Sequence, residues 1–164
     1  MPLTVSEIAD RITAPGADKA VIVERLQHWT RERLLTPIGE RNPGTGRRRL
    51  YDDSALDVAA ILNALANQGL HIGKQRHLMM VHLLAERARN LWRKKGRDGK
   101  EFIQLYLEVA DFTKKNPQGL HQAVFLHEGT AISLQPISDL SIVVNLTRLF
   151  MRLYGRPKRE SANG

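Results

Sequence analysis

The chain has 164 residues, with 25 Lys+Arg against 17 Asp+Glu, a net charge of +8 and 42% apolar residues. This length holds one domain or two small ones, and the apolar fraction excludes wholesale disorder, a large multidomain enzyme and a low-complexity fibre. Zero cysteine excludes disulfides, thiol chemistry, iron–sulfur clusters and Cys-ligated zinc.

Thr4-Val5-Ser6-Glu7 reads as a capping box, and Val5, Ile8 and Ile12 at helical spacing predict a short first helix ending near Ile12. Thr13–Ala17, with Pro15 and Gly16, breaks it. Asp18 is a candidate cap for a second helix, on which Ile22, Leu26 and Trp29 form an apolar stripe able to face the first helix. Two short helices with a break between them, and arginines on the second, outline a helix-turn-helix; the pattern also suits any small helical subdomain.

The chain leaves the second helix at Leu34-Leu35-Thr36-Pro37. Asn42-Pro43-Gly44-Thr45-Gly46 reads as a hairpin tip. A strand follows, with Arg47, Arg49 and Tyr51 on one face and Arg48 and Leu50 on the other. An arginine-flanked hairpin suits a phosphate backbone or a minor groove, and it equally suits a solvated surface. There is no Gly-Lys-Ser/Thr and no GxGxxG, so these glycines are not read as a nucleotide cradle.

Ser54 or Asp53 is the expected cap of a third helix, whose apolar face runs from Ala55 to Ala66 and stops at Asn67-Gln68-Gly69. Lys74 to about Lys95 is the longest helical stretch. Leu78, Val81, Ala85, Ala88 and Trp92 recur there at three- and four-residue spacing, which serves a core helix and a dimer seam equally; they are the dimerisation candidates. Beyond Gly99 the composition changes. Phe102–Val109 reads as a strand, though a helix face also fits. Gln122–Leu126 and Ala131–Leu134 flank His127-Glu128-Gly129-Thr130 as an expected hairpin, and Ser141–Leu146 reads as a strand leading into a helix at Thr147–Tyr154. His121 and His127 lie near Glu128, but histidines in strands or turns are more often structural, so no metal site and no cofactor are expected.

The charge is uneven. Seven arginines from Arg25 to Arg49 face only Glu32 and Glu40, and nine basic residues within 70–100 face only Glu86 and Asp98. Two basic patches of this kind fit a nucleic-acid footprint. No paired carboxylates at catalytic spacing, Ser/His/Asp arrangement or nucleophile motif is found, so no enzyme is expected. Met1–Asp10 lacks the regions of a signal peptide, and no stretch reaches 18 apolar residues. A cytoplasmic, nucleoid-associated protein with no membrane contact is expected.

Residues 1–70 resemble the winged helix-turn-helix domain of the MerR family of bacterial transcription regulators. The resemblance is carried by Leu3–Ala9, by Arg25–Pro37, and most specifically by Gly46-Arg47-Arg48-Arg49-Leu50-Tyr51-Asp52-Asp53-Ser54-Ala55-Leu56. The chain departs from the family in three places. The loop from Ile12 to Lys19 is longer, Gln27-His28-Trp29 stands where an Arg and two aromatics are usual, and Arg33 stands where a glycine is usual.

The resemblance implies a mainly α fold with a β-wing over 1–70 and, by position alone, a dimerisation helix over 74–97. A small α+β module over 100–155 and a polar tail over 156–164 complete the organisation. The implied function is a dimeric, sequence-specific DNA-binding transcriptional regulator without catalysis. Lys19, Gln27, His28, Arg31 and Arg33 would face the major groove or its rim. Arg41, Arg47, Arg48, Arg49 and Tyr51 would belong to the wing contacts. Expected partners are double-stranded DNA, a second copy of the chain, RNA polymerase, and a small-molecule or protein effector. The alternative is a protein-interaction or ligand-sensing module with an auxiliary DNA-binding domain.

Overall fold

The computed structural model describes residues 1–39, 48–69, 76–95, 103–109, 122–128 and 141–155, with side-chain packing described over 1–39, 48–69, 81–93 and 145–155. The chain forms two compact units, Met1–Arg87 and Ala88–Gly164.

The first unit opens with a two-residue strand, β1 (Leu3–Thr4), which the sequence analysis did not anticipate. It leads directly into α1 (Val5–Ile12), whose capping box forms as expected. The Glu7 carboxylate accepts the Thr4 N–H at 2.7 Å and the Thr4 hydroxyl at 2.8 Å, and Glu7 N–H donates to Thr4 Oγ1 at 3.3 Å. These contacts satisfy N–H groups that a helix start otherwise leaves open. Asp18 caps α2 (Lys19–Arg31), accepting from Ala20 N–H at 2.8 Å. After the loop comes β2 (Leu50–Tyr51), which pairs antiparallel with β1 in the register Leu3 with Tyr51 and Thr4 with Leu50. On its other side Leu50 bridges to Ile38, closing the root of the wing.

The expected cap of α3 (Asp53–Ala66) is corrected. The helix starts one residue earlier than a cap at Asp53 implies and two earlier than a cap at Ser54, and Asp52 takes that place, accepting from Ala55 N–H at 2.9 Å. Ser54 Oγ donates to the same carboxylate oxygen at 2.7 Å. α1 packs on α2 and α3, and α3 also packs on β2. Ile8, Ile12, Leu26, Leu34, Leu35, Leu56, Ile61 and Leu62 fill the core between them. This is a helix-turn-helix with a small open β-wing, followed by further helices and an α+β module.

α4 (Arg76–Lys95) is continuous through the boundary between the units. In the second unit β3 (Ile103–Val109) is the middle of a three-stranded antiparallel sheet, between β4 (Gln122–Glu128) and β5 (Ser141–Asn145). His127 and Glu128 therefore lie inside β4, paired with Gln104 and Ile103, and not at the expected turn. The expected partner segment Ala131–Leu134 lies outside the described residues. β5 passes straight into α5 (Leu146–Tyr154), capped by Asn145, which accepts from Arg148 N–H at 2.9 Å. α5 lies against β3.

Candidate nucleic-acid interface

α2 is held in place on three sides by polar contacts as well as by its apolar stripe. At its start, Lys19 Nζ reaches back to α1, to Asp10 at 2.5 Å and Ser6 Oγ at 3.0 Å. Midway, Arg25 Nη1 donates to Asn63 Oδ1 at 2.8 Å and Asn67 Oδ1 at 2.6 Å, near the end of α3. A cation there also meets the negative end of the α3 dipole. Arg25, first of the seven arginines in the basic segment, thus acts as a structural clamp between helices.

The third contact is buried. Thr30 Oγ1 and the Tyr51 hydroxyl lie 2.8 Å apart, and Thr30 Oγ1 also donates to the Leu26 carbonyl at 2.8 Å. Each hydroxyl has one proton, so with the threonine proton on Leu26 it is Tyr51 that donates to Thr30. This bond joins α2 to the base of the wing across 21 residues of sequence.

The expectation that Tyr51 contacts DNA is therefore corrected. Its side chain is 1% exposed and its hydroxyl is engaged inside the fold. The strand is shorter than expected, Leu50–Tyr51 alone, but exposure still alternates into it, with Arg48 and Leu50 exposed, Arg49 half-buried and Tyr51 buried. Tyr51 itself pairs with Leu3 of β1 and lies two residues ahead of α3, which packs on β2. Tyr51 positions the wing instead of touching a ligand.

Gln27, His28, Arg31 and Arg33 are exposed at the carboxy-terminal half of α2 and just beyond it. The helix ends in a Schellman turn, with Leu34 N–H on the Trp29 carbonyl at 2.7 Å and Arg33 N–H on the Thr30 carbonyl at 3.2 Å. Arg33 takes the left-handed residue of that turn, with φ of 62°. This is a position that glycine fills without steric cost, and it is where the sequence departs from the family glycine. Leu34 and Leu35, which follow it, are buried.

Arg48 is exposed, and its charge helps hold Glu7 below the ordinary glutamate range. The hydrogen bonds from the Thr4 backbone and hydroxyl are the larger causes, with Arg11 also contributing. Arg48 thus lies within electrostatic reach of the first turn of α1. Arg49 is half-buried. Arg41 and Arg47 lie outside the described residues.

The side chains expected at a dimer seam have little exposed surface in the single chain. Val81, Ala85, Ala88 and Trp92 are all buried within one chain, Trp92 being 7% exposed. In the second unit Trp92 packs against Phe150 and Tyr154 of α5, with ring centroids 6.0 and 5.4 Å away. Arg89 lies over the Tyr154 ring at 5.2 Å and donates to its hydroxyl at 2.9 Å. The side chain of Leu78 lies outside the described residues. Among the described side chains of α4, Leu83 is 58% exposed and presents apolar surface.

Among the described residues no group of three or more His, Asp or Glu could hold a metal ion, and no helix is long and apolar enough to cross a membrane. The sequence reading missed the roles of Thr30, Arg25 and Asp52, whose partners lie on other elements or depend on where a helix begins. Among the curated proteins no match to the chain is found. Residues 20–80, spanning α2, the wing, α3 and the start of α4, match the family model described as MerR HTH family regulatory protein, so the amino-terminal part of this chain is matched to the MerR-family helix-turn-helix regulatory domain.

Proposed function

We propose that the chain is a sequence-specific, dimeric DNA-binding regulator of transcription that acts by binding, with no chemical step. The family match over residues 20–80 supports a DNA-binding regulatory function for that part of the chain. The observation that carries the reading furthest is the Thr30–Tyr51 bond, which locks the exposed helix α2 and the arginine-bearing wing to each other. DNA readout needs such a fixed pair, one element in the major groove and one on the flanking backbone.

In this reading Gln27 and His28 meet base edges, while Arg31 and Arg33 contact the groove rim. Arg41, Arg47, Arg48 and Arg49 contact phosphates. Lys19, whose charge is shared with Asp10, contributes at the margin. A second copy packs on the exposed edge of α4 at Leu83, RNA polymerase is the protein partner at the promoter, and an effector acts through the second unit.

The test is recovery and sequencing of genomic DNA fragments bound by the full chain at about 50 and 200 mM salt. The comparison is a variant carrying Arg47→Ala, Arg48→Ala and Arg49→Ala. One enriched palindrome surviving the higher salt is expected, with the salt slope of binding reduced by about three in the variant. Even coverage that disappears at the higher salt, or specific binding unaffected by the triple change, would overturn the reading. In the latter case the alternative of an interaction module with an auxiliary DNA-binding domain gains.

A further inference from the structure

The solvent face of α2 carries two side chains that phosphate recognition does not use. Val21 is 43% exposed, although Ile22, Leu26 and Trp29 on the opposite side of the helix are buried. Glu24 is exposed one turn further on. At about 100° per residue, Glu24 falls at the centre of the exposed sector, with Val21 and His28 to one side and Arg31 and Gln27 to the other. At a rise of about 1.5 Å per residue, Val21 and Glu24 are separated by about 4.5 Å along the axis, close to the spacing of neighbouring base pairs of about 3.4 Å.

An acidic side chain at the centre of a DNA-facing surface is repelled by phosphate. The groove offers it one class of favourable partner, an exocyclic amino group, and cytosine N4 presents its amino group as a donor with no adjacent acceptor. An exposed valine offers no hydrogen bond, but it complements the 5-methyl group of thymine. We infer that Val21 and Glu24 add to the base preference of this chain beside Gln27 and His28, reading a thymine methyl and a cytosine amino group in adjacent base pairs of the major groove. The inference rests on the DNA-binding reading of α2 above. Glu24 also discriminates by repulsion, since guanine and thymine meet its charge with acceptors only, and at adenine the N7 acceptor lies beside the N6 amino group.

The experiment is selection of bound duplexes from a random library by the full chain and by Glu24→Gln and Val21→Ala variants, with melting temperatures confirming that each is folded. Glu24→Gln is expected to exchange a C·G preference for A·T at one position, because a Gln amide pairs with adenine N6 and N7, with discrimination against the original base falling about tenfold. The same variant is expected to bind random DNA more tightly at low salt. For Val21, each thymine of the selected site is replaced in turn by deoxyuridine. The natural chain is expected to lose about fourfold in affinity at one thymine, the worth of one buried methyl, and Val21→Ala to be indifferent there. An unchanged motif in both variants, with no thymine sensitive to loss of its methyl, overturns the inference while leaving the regulator reading intact. Failure of the natural chain to select any motif overturns both.

Discussion

The amino-terminal unit is fastened between its elements by directional polar contacts, whereas the described side chains of the carboxy-terminal unit meet in an aromatic cluster. In the first, Arg25 bridges α2 to Asn63 and Asn67 of α3, and Thr30 holds Tyr51 at the wing. In the second, Trp92, Phe150 and Tyr154 pack as tilted rings with Arg89 over one of them. Hydrogen bonds weaken steeply away from their preferred angle, while aromatic contacts tolerate several arrangements. A unit that must present a helix and a wing in fixed relation gains more from the former. The Trp92 Nε1–H is buried without a hydrogen-bond partner, so Trp92 itself depends on packing and burial, while Arg89 adds a directional bond to the Tyr154 hydroxyl.

The largest expected effect breaks the aromatic side of this comparison. Trp92→Ala should cost about 3–5 kcal/mol of stability by urea titration, independent of protein concentration. A loss that shrinks as concentration rises would return Trp92 to a subunit interface. Trp92→Phe removes the orphaned N–H together with part of the ring and should cost much less.

On the polar side, Thr30→Val leaves the Tyr51 hydroxyl buried without its acceptor and should cost about 1–3 kcal/mol. Adding Tyr51→Phe should restore much of that loss, because removing both polar groups leaves neither unsatisfied. A double-mutant cycle with no coupling would mean that the bond does not join helix and wing. If it does join them, both single variants should also weaken specific DNA binding.

Arg33→Gly should act in the opposite direction, stabilising the fold by about 1 kcal/mol through relief of the left-handed conformation at φ of 62°. The gain would register in thermal unfolding. If Arg33 also contacts the groove rim, the same change should weaken DNA binding and lower its salt slope by about one.

The smallest effect is on pH dependence at the capping box. Because Glu7 is held below its ordinary range, chiefly by the Thr4 N–H, its stabilising contribution is fully present above the unfolded pKa and is lost as pH falls through the depressed folded value. Acid unfolding of Glu7→Gln should therefore show a shallower loss of stability across that window. An identical acid limb in both proteins would show that the box adds nothing.

The sequence by itself determined the helices of the first unit, the Thr4 and Asp18 caps, the break between the first two helices, and the segment bearing the arginines. Those features are set by neighbours within about four residues, through side-chain periodicity and the open N–H groups of a helix start. It also carried the family resemblance that the match over residues 20–80 supports. Only the tertiary structure decided that Tyr51 turns inward, that Arg25 is spent on α3, and that the stripe from Val81 to Trp92 is covered by its own chain. Periodicity specifies that a face is apolar and leaves open what covers it. A hydroxyl or guanidinium partner 21 or 38 residues away follows from the path of the chain in space.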